Sequence, residues 1–201
     1  MLKINEIAEI MKRMDLLYHN YRNSYSGLKS TVFNNAASVK YSSGGLIYPF
    51  GKYFFGQSKL YKKQAKKSPG HFCKTLEEAN FAYVFSEDGR LLAFNQFYED
   101  TPKSDGYVDK TGFFIYDEGY TYILKFDEHF DPPILREAGI IYSRDNYEIM
   151  VHSDIPCKFV DIIVSDKEKN NEYSYYFSRE IFRAKYDPAS QEEYPIYSTL
   201  N

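Results

Sequence analysis

Three residues in the middle of the chain, Asp127, His129 and Asp131, have the types and the spacing of a metal site. Alternate residues of an extended segment point to the same side, so two carboxylates and an imidazole would lie together as ligands for a divalent metal. The trio also runs directly into Pro132-Pro133, which is more typical of a polar strand end that continues into a rigid loop. A metal-dependent hydrolase is therefore one of three functional hypotheses.

Other catalytic combinations have less support. His71 and Cys73 are two residues apart, whereas a catalytic Cys and its His are usually distant in sequence and meet only in the fold. His152 and Asp154 form a similar short-range pair. The chain contains no Gly-x-Gly-x-x-Gly, Gly-Lys-Ser/Thr, Gly-x-Ser-x-Gly, His-Glu-x-x-His or Cys-x-x-Cys motif. We therefore expect a protein that is not an enzyme and that uses no cofactor.

A second candidate site is a group of lysines between residues 57 and 67. If this segment is a helix capped by Ser58, the lysines recur every three or four residues and share one side. They are Lys59, Lys62, Lys63, Lys66 and Lys67. Such a stripe can neutralise phosphates without reading sequence, and nearby aromatic residues can stack on unpaired bases. It predicts a binder of nucleic acid or another polyanion, although a solvated helix face has the same pattern.

Acidic residues divide the chain into two parts. Between Leu16 and Leu76 there is no Asp or Glu, and these residues include ten Lys and Arg. Residues 77–201 contain 12 basic and 25 acidic side chains, although the whole chain has a net charge of only −3. The two parts therefore attract different partners, or they attract each other.

The acidic part favours capture of a basic protein. Charge steers such an encounter, and Tyr provides a large contact area with few rotatable bonds. The candidate contact residues are Asp117, Glu118, Tyr120, Tyr122, Asp127, Glu128, Tyr147 and Glu148. Bacterial immunity proteins that neutralise cationic toxins work on this principle, and the abundance of amino acids with AT-rich codons is typical of a low-GC bacterium. An immunity-type inhibitor of a basic, toxin-like effector is therefore the favoured hypothesis, ahead of the polyanion binder and the hydrolase.

The elements that would position these residues begin with four predicted hairpins. From Phe81 onward, short alternating segments are separated by turn-forming clusters, a pattern typical of consecutive antiparallel strands. Asp88-Gly89 is a strong hairpin signal in the first pair. The predicted pairs span residues 81–98, 113–126, 140–151 and 159–177. They predict an antiparallel meander of about eight strands.

The N-terminal part predicts one helix followed by irregular structure. Apolar residues recur at three- and four-residue steps between Ile7 and Tyr18, which indicates an amphipathic helix from about Leu2 to Tyr21. Residues 23–45 are rich in Ser, Asn and Gly, a composition typical of a loop or a short irregular strand.

The basic and aromatic segment that follows predicts weaker elements. Residues 46–55 are interrupted by Pro and Gly, so they are expected to form at best an edge strand or a bent hairpin. The lysine helix over residues 57–67 comes next. Thr75 and Glu78 then have the spacing of a capping box, which predicts one more short helical turn.

Together these patterns predict a single α+β domain over residues 1–201. Residues 1–76 would form the helical, basic and aromatic segment, packed on the acidic meander of residues 77–201. No window approaches 18 consecutive apolar residues, the N-terminal residues are charged, and the only cysteines are Cys73 and Cys157. We therefore expect a cytoplasmic protein with reduced thiols and no membrane partner.

Overall fold

A computed structural model of the chain describes residues 4–44, 47, 70–97, 108–154, 159–169 and 171–178. These residues form two helices and ten strands of one antiparallel sheet, which confirms the predicted α+β class. The predicted lysine helix over residues 57–67 lies outside the described residues, and so does the segment 46–55 apart from residue 47.

The helices precede most of the sheet in the chain. Helix α1 spans Ile4–Tyr21 and α2 spans Tyr25–Asn35. The strands are β1 Ser38–Ser43, β2 His71–Cys73, β3 Phe81–Phe85, β4 Leu91–Gln96, β5 Lys110–Asp117, β6 Tyr120–Asp127, β7 Ile134–Arg144, β8 Tyr147–Asp154, β9 Phe159–Asp166 and β10 Asn171–Ser178. Among the described residues no helix is long and apolar enough to cross a membrane.

The sheet follows the order β10-β9-β8-β7-β6-β5-β4-β3-β1-β2. Strands β3 to β10 pair consecutively as four hairpins, and this confirms the predicted meander. The sheet has two more strands than expected, because β1 pairs with β3 and β2 pairs with β1 at the end of the meander. The backbone amide of Asn80 donates to the carbonyl of Ser42 at 2.7 Å, which ties β1 to the start of β3.

The prediction for residues 23–45 was wrong where Tyr25–Asn35 form α2 rather than a loop, whereas the short strand that it allowed is present as β1. Polar residues of α2 satisfy carbonyls four residues earlier in the same helix: Ser30 Oγ donates to Ser26 O at 3.0 Å, and Thr31 Oγ1 to Gly27 O at 3.0 Å. These bonds are compatible with a helix and do not break it. Tyr25 is 9% exposed and anchors the helix in the core, so tertiary packing outweighs the low helix propensity.

The short helical turn predicted at Thr75 is reduced to a single turn, in which the backbone amide of Ala79 donates to the carbonyl of Leu76 at 3.0 Å. Residues 74–78 form bends and a turn, in which the backbone amide of Lys74 lies 3.4 Å from Glu78 Oε2. The carboxylate of Glu78 therefore contacts an amide four residues earlier without a following helix.

Helix α1 covers one face of the sheet. Its apolar stripe is buried as predicted, and Met14 has no exposed surface. The stripe packs on residues of β6 to β9, among them Leu124, Ile140 and Ile162, each 0 to 1% exposed. Burial of this stripe holds the helix against this face of the sheet. The charged residues of α1 therefore lie beside the same face.

The opposite face of the sheet carries a second apolar core. It contains Phe94, Phe114 and Ile123, each 0 to 5% exposed. The ring of Phe94 lies directly over Gly112 on the neighbouring strand, where an added Cβ would be 1.8 Å from a ring atom. Two cores explain why adjacent residues such as Ile140 and Ile141 are both buried, since the two sides of one strand then both face apolar surroundings.

Candidate protein-binding surface

All four predicted hairpin turns lie at one end of the sheet. In a meander every second connection is on the same side, and the turns between β3 and β4, β5 and β6, β7 and β8, and β9 and β10 are such connections. Neighbouring turns are therefore two strand spacings apart, about 10 Å. Each turn carries exposed carboxylates, which we call the acidic turn row: Glu87, Asp88, Asp117, Glu118, Asp145 and Glu168.

Backbone geometry accounts for several residues of these turns. Gly89 and Gly119 have φ values of 79° and 86°, in the region that glycine adopts without steric cost. Asp145 has a φ of 52°, and Asp and Asn are the residues other than Gly that enter this region most often. The side chain of Ser86 donates to Asp88 and lowers the pKa of that carboxyl.

Among the described residues, most exposed cations in or directly beside these turns are paired with carboxylates of the same chain. Arg90 Nε lies 3.0 Å from Asp88, Arg144 pairs with Glu6 of α1, and Lys167 Nζ lies 4.0 Å from Glu148. The fourth exposed cation is Lys169. Five carboxylates of the row take no part in an ion pair among the described residues: Glu87, Asp117, Glu118, Asp145 and Glu168.

Tyrosines border the row on the face that α1 covers. The rings of Tyr120 and Tyr122 are nearly parallel with centroids 6.0 Å apart, and Tyr142 lies 5.3 Å from Tyr120. The guanidinium of Arg13 sits 4.4 Å from the centre of the Tyr120 ring. Tyr142 is half-buried, and burial raises the pKa of its hydroxyl. The edge of the helix–sheet interface is therefore aromatic.

A cleft of about 310 Å³ opens between α1 and strands β6 to β8 beside the row. Its floor is apolar and its rim is charged. The lining residues are Glu6, Glu9, Ile10, Arg13, Tyr120, Ile140, Tyr142, Arg144 and Val151. Two arginines and two glutamates share this rim, so the lining as a whole is electrically balanced.

The candidate contact residues fall into two separate groups. Asp117, Glu118, Tyr120, Tyr122, Tyr147 and Glu148 lie at the turn end. Asp127 and Glu128 lie at the opposite end of β6, an eight-residue strand that spans roughly 25 Å. The eight residues therefore do not form one contact surface.

The carboxylate of Glu128 is hydrogen-bonded within the fold rather than exposed to solvent. Its Oε1 accepts hydrogen bonds from the hydroxyls of Tyr25 and Thr111. Burial raises the pKa of Tyr25, and the bond to the Glu128 carboxylate raises it further. This contact joins the start of α2 to β5 and to the end of β6.

Asp127 is held in a local ion-pair group. Its Oδ1 lies 2.6 Å from His129 Nδ1 and accepts from the His129 backbone amide at 3.1 Å, and its Oδ2 lies 3.4 Å from Arg136 Nε. Burial raises the pKa of Asp127, but the contacts with His129 and Arg136 outweigh it and hold the pKa below its ordinary value.

The structure brings Asp127 and His129 together, as the metal hypothesis requires. A second carboxylate, that of Asp109, lies 3.5 Å from the same His129 nitrogen. Asp131 is exposed. No group of three His, Cys, Asp or Glu side chains among the described residues is placed to hold a metal ion. The geometry therefore gives the metal-dependent hydrolase no support.

A buried charge network crosses four strands on the second face, and the sequence patterns did not reveal it. Lys125 Nζ lies 2.7 Å from Glu137 Oε1, and His152 Nε2 lies 3.2 Å from Glu137 Oε2. Asp161 is directly opposite His152 in the register of β8 and β9. Burial would raise the pKa of Glu137, yet His152 and Lys125 lower it to about 2, whereas burial raises the pKa of Asp161 to about 6.

This network also changes the interpretation of His152. The sequence places it near Asp154, but its ring contacts Glu137 on the neighbouring strand. The sequence signal for the network is weak, because its successive members are 9 to 15 residues apart and only the register of the sheet brings them together.

Comparison of the chain with protein-family models, with curated proteins and with solved structures finds no match.

Proposed function

We propose that the chain is a protein-binding module that captures a basic protein through the turn end of its sheet. In its most concrete form it is a cytoplasmic, immunity-type inhibitor of a basic effector in a bacterium. The observation that supports this proposal is the acidic turn row, in which five exposed carboxylates have no ion pair among the described residues and lie beside a tyrosine cluster.

The charge distribution favours the turn end of the sheet as the surface that binds a cationic partner. The exposed side chains of the described residues include ten acidic and nine basic ones, so their total is nearly balanced. Six of those acidic and four of those basic side chains lie in or directly beside the four hairpin turns. The exposed negative excess is thus concentrated in the turn row, where a local field would steer a cationic partner.

The chemistry of the row suits recognition more than catalysis. The carboxylates are carried by tight turns on a rigid sheet, so little ordering is needed when a partner binds. The neighbouring tyrosines add apolar area with a polar tip, as is typical of binding surfaces. Binding of a polyanion through Lys59, Lys62, Lys63, Lys66 and Lys67 remains a separate hypothesis on residues outside the described ranges.

The proposal is tested by neutralising the row without changing its shape. In the row variant Asp117→Asn, Glu118→Gln and Asp145→Asn are combined, and Asn is as compatible as Asp with the φ of 52° at position 145. Proteins captured from the producing cell by the wild-type chain are identified, and their binding is then measured with purified components. We expect a basic partner whose affinity falls at least about tenfold in the row variant.

A matched control removes the same number of charges elsewhere. Glu77→Gln, Glu78→Gln and Asp131→Asn alter exposed residues outside the turn row, and we expect this variant to bind within about twofold of the wild type. A neutral or acidic partner, or equal losses in the two variants, would contradict the proposal.

A further inference from the structure

We infer that the cleft between α1 and strands β6 to β8 receives an arginine side chain of the partner. The inference rests on the proposed function and names the anchor that such a partner would use. Binding energy at protein interfaces is concentrated in a few side chains that fill pockets, and Arg is among the most frequent of these.

The position of the cleft connects it with the acidic turn row. Tyr120 directly follows the turn between β5 and β6, and Arg144 directly precedes the turn between β7 and β8. Both residues line the cleft. A cationic segment attracted by the carboxylates of these turns would therefore pass the mouth of the cleft.

The walls of the cleft match the parts of an arginine side chain. Ile10, Ile140 and Val151 form an apolar floor for the methylene stem. Tyr120 and Tyr142, with ring centroids 5.3 Å apart, form an aromatic wall. This wall already holds a guanidinium, because Arg13 lies 4.4 Å from the centre of the Tyr120 ring.

The charges on the rim leave one carboxylate for an incoming cation. Glu6 is paired with Arg144, and Arg13 lies over Tyr120. Glu9 lines the cleft, is exposed, and forms no ion pair among the described residues. A guanidinium can bind a carboxylate through two parallel N–H bonds and stack on an aromatic ring, which an ammonium does less well. The cleft is therefore expected to prefer Arg over Lys.

The test compares two peptides of equal charge, hexa-arginine and hexa-lysine, on the full chain by titration calorimetry. We expect hexa-arginine to bind about tenfold more tightly, because cation–π contact and bidentate bonding are added to the same net attraction. In the Glu9→Gln and Tyr142→Leu variants we expect the preference to fall to about twofold or less, with hexa-lysine binding changed less than about twofold. Thermal unfolding confirms that each variant is folded.

The possible outcomes separate this inference from the proposed function. Equal affinity for the two peptides, together with weaker binding of both to the row variant, would overturn the arginine site and support the acidic surface. An arginine preference that persists in both Glu9→Gln and Tyr142→Leu would overturn the cleft as its cause. Failure of both peptides to bind at low salt would count against the proposed function itself.

Discussion

Two groups of carboxylates among the described residues differ in their chemical environment. Those of the turn row are exposed, whereas Glu137 and Asp161 are partly buried in the network on the second face. Glu137 has two cationic or potentially cationic neighbours, Lys125 and His152, while burial is the main influence on Asp161. The same side-chain type is thus stabilised as an anion in one position and disfavoured as an anion in the other.

The two shifts predict opposite dependences of stability on pH. The pKa of Asp161 is raised to about 6, so the folded protein binds this proton more tightly than the unfolded chain, and stability should rise as the pH falls from about 6 towards 4.5. The pKa of Glu137 is lowered to about 2 from 4.5. Its contribution is therefore present above pH 4.5 and is lost as the pH falls from there towards 2.

Asp161→Asn tests the first shift. The amide keeps the shape of the side chain and removes the cost of a buried charge, so we expect a gain of about 1 to 2 kcal/mol at pH 7 after allowance for the solvent exposure of Asp161. Urea unfolding at pH 7, 6, 5 and 4.5 should show that the variant loses the wild-type increase below pH 6. Unchanged pH dependence in Asp161→Asn would rule out this residue as its source.

Helix α1 is the element whose apolar stripe packs on one face of the sheet. Met14 is 0% exposed at the centre of its stripe, whereas Leu16 on the same helix is 53% exposed. Truncation of a buried Met leaves a cavity and typically costs about 2 to 5 kcal/mol. We expect Met14→Ala to lower the free energy of unfolding by that amount.

Leu16→Ala is the matched control for this helix. It removes a similar volume from the surface, where most substitutions cost less than about 0.5 kcal/mol. Both variants are measured by urea unfolding followed by circular dichroism. Equal losses at Met14 and Leu16 would mean that the stripe from Ile7 to Leu17 does not anchor the helix.

The elements that could be predicted from the sequence are those with local signals. Strands β3 to β10 were predictable, because alternating apolar and polar residues indicate the strands of each hairpin and a turn sequence such as Asp88-Gly89 indicates where the chain reverses. The place of β1 in the sheet was not, because its pairing with β3 joins residues 39 to 47 positions apart. Helix α2 was missed because its Ser, Thr and Asn side chains bond to carbonyls of the same helix, which composition does not reveal.

The candidate surface was predictable only in part, for the same reason. Asp117, Glu118 and Tyr120 are neighbours in sequence and lie together in the fold. Asp127 and Glu128 lie at the opposite end of the sheet, because two successive connections of a meander are one strand apart and lie at opposite ends. The contribution of Glu9 depends on how α1 docks on the sheet, and that is a tertiary property without a local signal.

The exposed side chains of the described residues are nearly balanced in charge, and their negative excess lies in the hairpin turns. Partly buried carboxylates such as Glu137, Asp127 and Glu6 are paired with Lys125, Arg136 and Arg144, so they contribute little to the external field. The turn row should therefore steer a partner towards this end of the sheet. Because the row is exposed, association should be sensitive to salt, since the Debye length decreases from about 10 Å at 0.1 M to about 3 Å at 1 M.

The separate positions of the turn row and the cleft give a kinetic prediction for hexa-arginine. We expect its association rate constant to fall about tenfold or more between 0.05 and 0.5 M NaCl, because electrostatic steering increases the rate of encounter. Its dissociation rate constant should change less, because contacts in the cleft determine how long the peptide stays bound. In the row variant the salt dependence of association should flatten, and in Glu9→Gln dissociation should accelerate instead. Stopped-flow fluorescence with a labelled peptide resolves both rates. If the row variant slowed neither association nor its response to salt, the steering field would have to originate outside the turn end.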